Sequence, residues 1–150
     1  MIPVYIVTGF IGSGKSTFIN KQLQYRKKLG GTAIISAEEG SEPLIKEPLQ
    51  LNADELSAII PNDIKSYELI ACKIADYLKR LQPKELWIEW NGTVSFHQLE
   101  ALLYSDILSH LVQIEKVLYI CTDQFVSTIL PGLGNDVMSQ LYSADCIITE

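Results

Sequence analysis

The stretch "VTGFIGSGKST", Val7 to Thr17, constrains this chain more than any other. It joins an apolar run, "PVYIVT" (3–8), to a helical pattern, "STFINKQLQYRKKL" (16–29). Gly9, Gly14, Lys15 and Ser16 fit G-x-x-x-x-G-K-[ST] in the strand-to-helix setting that this phosphate-binding loop needs. Gly9, Gly12 and Gly14 let the backbone turn its N–H groups inward, toward a β-phosphate at the positive end of the following helix. Ser13 belongs to the same cradle. Lys15 can reach the β- and γ-phosphates, the Ser16 hydroxyl can ligate Mg²⁺, and Thr17 is expected near the α-phosphate. A glycine-rich turn that binds nothing has no need of a lysine and a serine at these two places.

The rest of the chain repeats the strand-to-helix alternation. Apolar runs "GTAIIS" (31–36), "ELWIEW" (85–90), "KVLYIC" (116–121) and "DCIIT" (145–149) follow "PVYIVT", and their near-continuous hydrophobicity suits strands covered on both faces. Helical patterns at 65–81, 95–111, with Ser95 as its cap, and more weakly at 135–143 separate them. The fold class expected is α/β: a P-loop NTPase with a mainly parallel sheet and flanking helices in three layers. With 150 residues, 47% of them hydrophobic, residues 1–150 are expected to form a single domain. The segment 38–63 is broken by Pro43, Pro48 and Pro61 and reads as an irregular excursion or a short hairpin.

Composition excludes several classes. The formal charge of -6 and the lack of any basic block beyond "YRKK" (25–28) argue against a nucleic-acid partner, and "YRKK" itself reads as the solvated last turn of the first helix. The opening apolar run is too short to cross a bilayer and lacks a basic leader, so no membrane insertion and a cytoplasmic location are expected. Cys72, Cys121 and Cys146 are far apart and form no C-x-x-C pair, which predicts buried free thiols.

"LWIEWNG" places Glu89 at the carboxyl end of a buried strand, where a carboxylate can anchor a Mg²⁺-bound water beside the P-loop. Gly92, three residues on, would let the backbone approach the γ-phosphate. Packing is expected of both Trp87 and Trp90, with a place near the site as the alternative for Trp90. His97 and His110 share one amphipathic pattern without a further ligand at metal spacing, and Asp123 reads as a cap or loop residue.

With these motifs in place the chain resembles the CobW/HypB/UreG family of P-loop GTPases, its CobW-like branch in particular. "VTGFIGSGKSTFIN" is similar to that branch's "TGFLGAGKTTLLN", "IEWNG" to its E-x-x-G motif, "VLYICTDQF" to its "VVTVVDA.NF" strand, and "QLYSADCIIT" to "QI..AD.IVLNK", which leads into the guanine-reading N-K-x-D motif. The resemblance implies GTP and Mg²⁺ as ligands, with Lys15 and Glu89 as catalytic groups and Ser16 and, through water, Glu89 on the metal. It implies phosphate contacts at Gly9, Gly12, Ser13, Gly14, Lys15, Ser16 and Thr17, and sensing of Mg²⁺ and γ-phosphate at Gly92. "ISAEEGSEPLI" stands in the switch segment's place, so Glu38 and Gly40 are its expected nucleotide-responsive residues. A homodimer or a client metalloprotein is the implied partner, and metal homeostasis or metallocofactor assembly the implied setting.

The departures bear on activity. "LSAIIPNDI" (56–64) carries no cysteine where the branch has C-x-C-C, and Ile45 stands where the switch segment ends in aspartate, which predicts slow hydrolysis. Glu150 falls where the base-reading Asn belongs; either the domain is the N-terminal part of a longer protein or base recognition has diverged. Two other classes stay open: a non-catalytic, nucleotide-dependent interaction module, and a P-loop kinase of a small metabolite. The kinase lacks an arginine-rich lid, since Arg26 and Arg80 are the only arginines and both lie in helical patterns.

Overall fold

A computed structural model describes residues 1–10, 12–26, 31–38, 43–52, 55, 64–91, 96–124, 127, 132, 140–141 and 143–149. The described elements are β1 (Ile2–Thr8), α1 (Lys15–Arg26), β2 (Thr32–Ser36), β3 (Leu49–Gln50), α2 (Ile64–Leu81), β4 (Glu85–Glu89), α3 (Phe96–Leu103), β5 (Val112–Cys121) and β6 (Cys146–Thr149). The strands form one parallel sheet in the order β3-β2-β4-β1-β5-β6. This is the α/β P-loop NTPase fold, and β1, which feeds the P-loop, lies inside it between β4 and β5.

Strand alternation builds three layers. Val4 and Ile6 of β1, Ala33 and Ile35 of β2, and Leu86, Ile88 and Trp90 at β4 pack with Ile70, Ile74 and Leu78 of α2 and Phe96, Leu99 and Leu102 of α3. The residues of opposite phase, Val7, Ile34, Trp87, Leu118 and Ile120, turn to the other face, onto Ile19 and Leu23 of α1. Trp87 stacks on Tyr5 there, ring centroids 4.8 Å apart. Trp90 is fully buried in the α2–α3 core, not at the site, because the pleat puts it in phase with Ile88 and opposite to Glu89. The register between β1 and β5 shifts between Val4 and Tyr5, which pair with Ile114 and Lys116. The extra residue, Glu115, reverses the phase of β5, so Val112 and Ile114 before it and Val117 after it all meet the same core.

Several boundaries depart from the expected ones. The excursion after β2 contains a sixth strand, β3, parallel to β2 and so not one arm of a hairpin. It pairs only with Ile35 and Ser36, and the Tyr77 hydroxyl of α2 serves the Ile34 backbone, accepting from its N–H at 3.3 Å and donating to its carbonyl at 3.0 Å. Burial pushes that phenol up from its ordinary range, which keeps its proton available for the bond. The helix expected at 95–111 stops at Leu103; Ser105 Oγ accepts the Leu108 N–H at 3.4 Å, competing with helical pairing, and the chain passes through turns into a β5 that starts four residues earlier than its apolar run. Ser95 lies outside the described residues, as do most of the pattern at 135–143 and residues 27–29 of the first helical pattern. α2 runs almost as expected and ends where Gln82 takes a left-handed φ of 46° before Pro83.

All three cysteines are free, but only Cys121 is buried; Cys72 and Cys146 are exposed, one on the outer face of α2 and one on edge strand β6. His97 and His110 are exposed, as their pattern suggests. Among the described residues no helix is long and apolar enough to cross a membrane.

Candidate functional site

The P-loop sits at the carboxyl ends of β1, β4 and β2. Its three glycines all hold positive φ: 145° at Gly9, 78° at Gly12 and 97° at Gly14. Ser13 N–H closes the loop on the Phe10 carbonyl at 3.1 Å, and Phe18 N–H on Gly14 O at 2.9 Å starts α1. The first N–H groups of a helix have no partner inside it, and α1 has no acidic residue in its first turn to neutralise them. That end of α1 therefore suits an anion.

Lys15 is only 3% exposed. Its ammonium donates to the Gly9 and Phe10 carbonyls, each at 2.8 Å, so the side chain folds back over the loop. It also lies 3.0 Å from Glu38 Oε2, a buried ion pair between the loop and the segment leaving β2. Ser16 donates to Glu89 Oε1 at 2.5 Å, and the other carboxylate oxygen lies 3.0 Å from Ser36 Oγ. Glu89 is 2% exposed, so these hydroxyls stand in for water around a buried carboxylate. Ser36 also lies 2.8 Å from the Glu38 carbonyl, linking the two carboxylate positions. Thr17 is half-buried on the same turn of α1.

The donor set fits a magnesium-bound phosphate. Ser16 gives its proton to Glu89, which leaves the Oγ lone pairs free for a hard cation, and Glu89 is placed to receive a metal-bound water. Ser13 Oγ is buried with no hydrogen-bond partner among the described residues, an orphan that a phosphate oxygen would satisfy. No cluster of three or more His, Cys, Asp or Glu suited to a metal ion occurs among the described residues, and Mg²⁺, which keeps waters and shares phosphate oxygens, needs none.

The structure thus gathers Gly9, Gly12, Ser13, Gly14, Lys15, Ser16, Glu38 and Glu89 at one end of the sheet, with Thr17 beside them. Gly40 and Gly92 lie outside the described residues. Ile45 is exposed and its N–H is held by Asn20 Oδ1 at 2.8 Å, so α1 fastens this part of the chain. Asp123 is exposed beyond the end of β5.

Two contributors carried no sequence signal of their role. Ser36 reads simply as the end of an apolar run. Gln140, fully buried, accepts the Thr8 hydroxyl at 2.5 Å and donates to the Asn91 carbonyl at 3.5 Å, joining the root of the P-loop to the residue after Trp90. Gln140→Leu is expected to lower stability by about 1–3 kcal/mol in urea unfolding, because the Thr8 hydroxyl is stranded, and adding Thr8→Val should recover part of that loss. Nearby, burial pushes the Tyr119 phenol up to about 12 and raises the Cys121 thiol, so both are neutral groups in the wall beside Phe10.

Comparison with solved structures agrees with this architecture. The Zn(II)-bound YjiA GTPase from E. coli superposes with a TM-score of 0.62 at 18% identity, covering 99% of this chain and 48% of that one. A Zn(II)-bound triple mutant of YjiA gives 0.65 at 18% identity with the same coverage. The chain therefore spans about half the length of these relatives. No curated protein matches it. The sequence profile of the CobW/HypB/UreG nucleotide-binding domain matches residues 3–149, nearly every residue from β1 to the end of β6, and the chain accordingly belongs to the CobW/HypB/UreG family.

Proposed function

We propose that this domain binds Mg-GTP and hydrolyses it slowly. The observation that carries the reading is the 2.5 Å contact between the P-loop hydroxyl of Ser16 and the strand-end carboxylate of Glu89, beside the buried ammonium of Lys15. Lys15 and the N–H groups opening α1 would stabilise charge on the β- and γ-phosphates. Ser16 and, through water, Glu89 would hold Mg²⁺, which when bound neutralises charge on the phosphate oxygens. Glu38, Gly40 and Gly92 would respond to the γ-phosphate, and the choice of guanine rests on the family. As in that family, the setting would be metal homeostasis or metallocofactor assembly in the cytoplasm, with a second copy or a client metalloprotein as partner. The metal ligands would be other than the family's cysteines, since 56–64 has none.

Phosphate release from GTP tests the enzymatic part. Glu89→Gln keeps the shape of the side chain and removes its charge, and turnover should fall about 10- to 100-fold, the usual effect of losing a group that orients a metal ligand. Equal turnover in wild type and variant would remove Glu89 from the mechanism.

One observation favours a second reading, a non-catalytic module that changes partners with nucleotide. At the switch position where the family's aspartate would stand, the chain presents the exposed, apolar Ile45, pinned to α1 by Asn20. This module would show nucleotide-dependent mass in light scattering without any phosphate release.

A further inference from the structure

The Lys15–Glu38 pair is closed to water: the two side chains are 2% and 7% exposed. Two of the three ammonium N–H groups are committed to the Gly9 and Phe10 carbonyls. The contact with Glu38 is of a different kind. Oε2 lies 3.0 Å from Nζ yet takes no hydrogen bond among the described residues, so the ammonium approaches it off the bonding direction. Charge alone holds it.

Glu38 reaches this place on a short tether. β2 ends at Ser36, Ala37 N–H donates to the Glu89 carbonyl at 2.9 Å, and Ser36 Oγ lies 2.8 Å from the Glu38 carbonyl. The carboxylate is therefore positioned by the same strand ends that carry the candidate Mg²⁺ residues. A phosphate oxygen meeting Lys15 in line would gain both the charge and the directional bond that Glu38 lacks. Both anions cannot share the ammonium cheaply, because each would face the other where water does not screen them.

We propose that Glu38 is an internal competitor for the nucleotide: paired with Lys15 its carboxylate closes on the P-loop, and an arriving di- or triphosphate takes Lys15 and releases that carboxylate. The inference rests on the reading of the site as a nucleotide site. Its consequence is that occupancy is reported to the surface beyond β2 through a carboxylate set free, beginning with the diphosphate and not only with the γ-phosphate.

Calorimetric titration of Mg-GDP and Mg-GTP into wild type, Glu38→Gln and Glu38→Ala decides it, with thermal melts showing that each variant is folded. Glu38→Gln keeps the side chain's size and removes only its charge. Both variants are expected to bind both nucleotides about tenfold more tightly, the gain from removing a closed state that must open before binding. Wild-type binding with no tightening in either variant would overturn the competition and leave the nucleotide site standing. A change confined to Mg-GTP would overturn it as well, since Lys15 meets a diphosphate too. Absence of binding in wild type and both variants would take down the nucleotide reading and this inference together.

Discussion

Lys15→Ala is expected to weaken Mg-nucleotide binding by about a hundredfold or more, the loss of a desolvated, charge-assisted contact to phosphate worth roughly 3 kcal/mol. The environment makes the loss large: Lys15 is 3% exposed and its ammonium is held at the loop by two carbonyls, so its desolvation is already met before phosphate arrives. The substitution also leaves the Glu38 carboxylate without its counter-charge, and that side chain is expected to swing toward water. Calorimetry with Mg-GTP reads the first effect and a thermal melt the second. Equal heats from wild type and Lys15→Ala would refute the phosphate-binding assignment at its centre.

Gly9→Ala is expected to be the most damaging single change to the fold of the loop. The Cβ of alanine would stand 2.2 Å from the Ile120 carbonyl oxygen and 2.9 Å from Ser13 Oγ, at a φ of 145° that side chains rarely adopt. The carbonyl belongs to β5, which is hydrogen-bonded to β1 along nearly its whole length, so the sheet cannot yield on that side. A loss of about 3 kcal/mol or more, or outright failure to fold, follows from overlap and backbone strain acting together. Gly12→Ala isolates the second cause, since among the described residues nothing beyond its chain neighbours lies within 4 Å of its Cβ, and the φ of 78° is what is unfavourable. It should lose about 1–2 kcal/mol of stability at most. Denaturant unfolding of the two variants side by side checks this order, and near-equal losses would contradict the packing seen around Gly9.

These cases show which features were legible in the primary structure. The P-loop could be read because its requirements are local: glycines where φ is positive, a lysine and a hydroxyl on the first turn of a helix. The strands could be read because a sheet covered on both faces needs apolar residues at nearly every position, and β1, β2 and β4 have them. β3 could not, since two residues after a proline have no periodicity, and it exists because Ile35 and Ser36 offer it an edge. The early start of β5 was hidden by Glu115, whose bulge breaks the alternation that a strand reading depends on.

By itself the sequence determined the P-loop motif, the parallel α/β layering and the family, because each is written in short-range spacing within successive segments of the chain. Only the tertiary structure decided how the cradle is completed. Ser16 meets Glu89 across 73 residues, Thr8 meets Gln140 across 132, and Lys15 closes on a carboxylate that follows a different strand. Spacing along the chain says nothing about such pairs; they exist because parallel pairing brings the carboxyl ends of β1, β2 and β4 to the same edge, where polar groups excluded from water must satisfy one another.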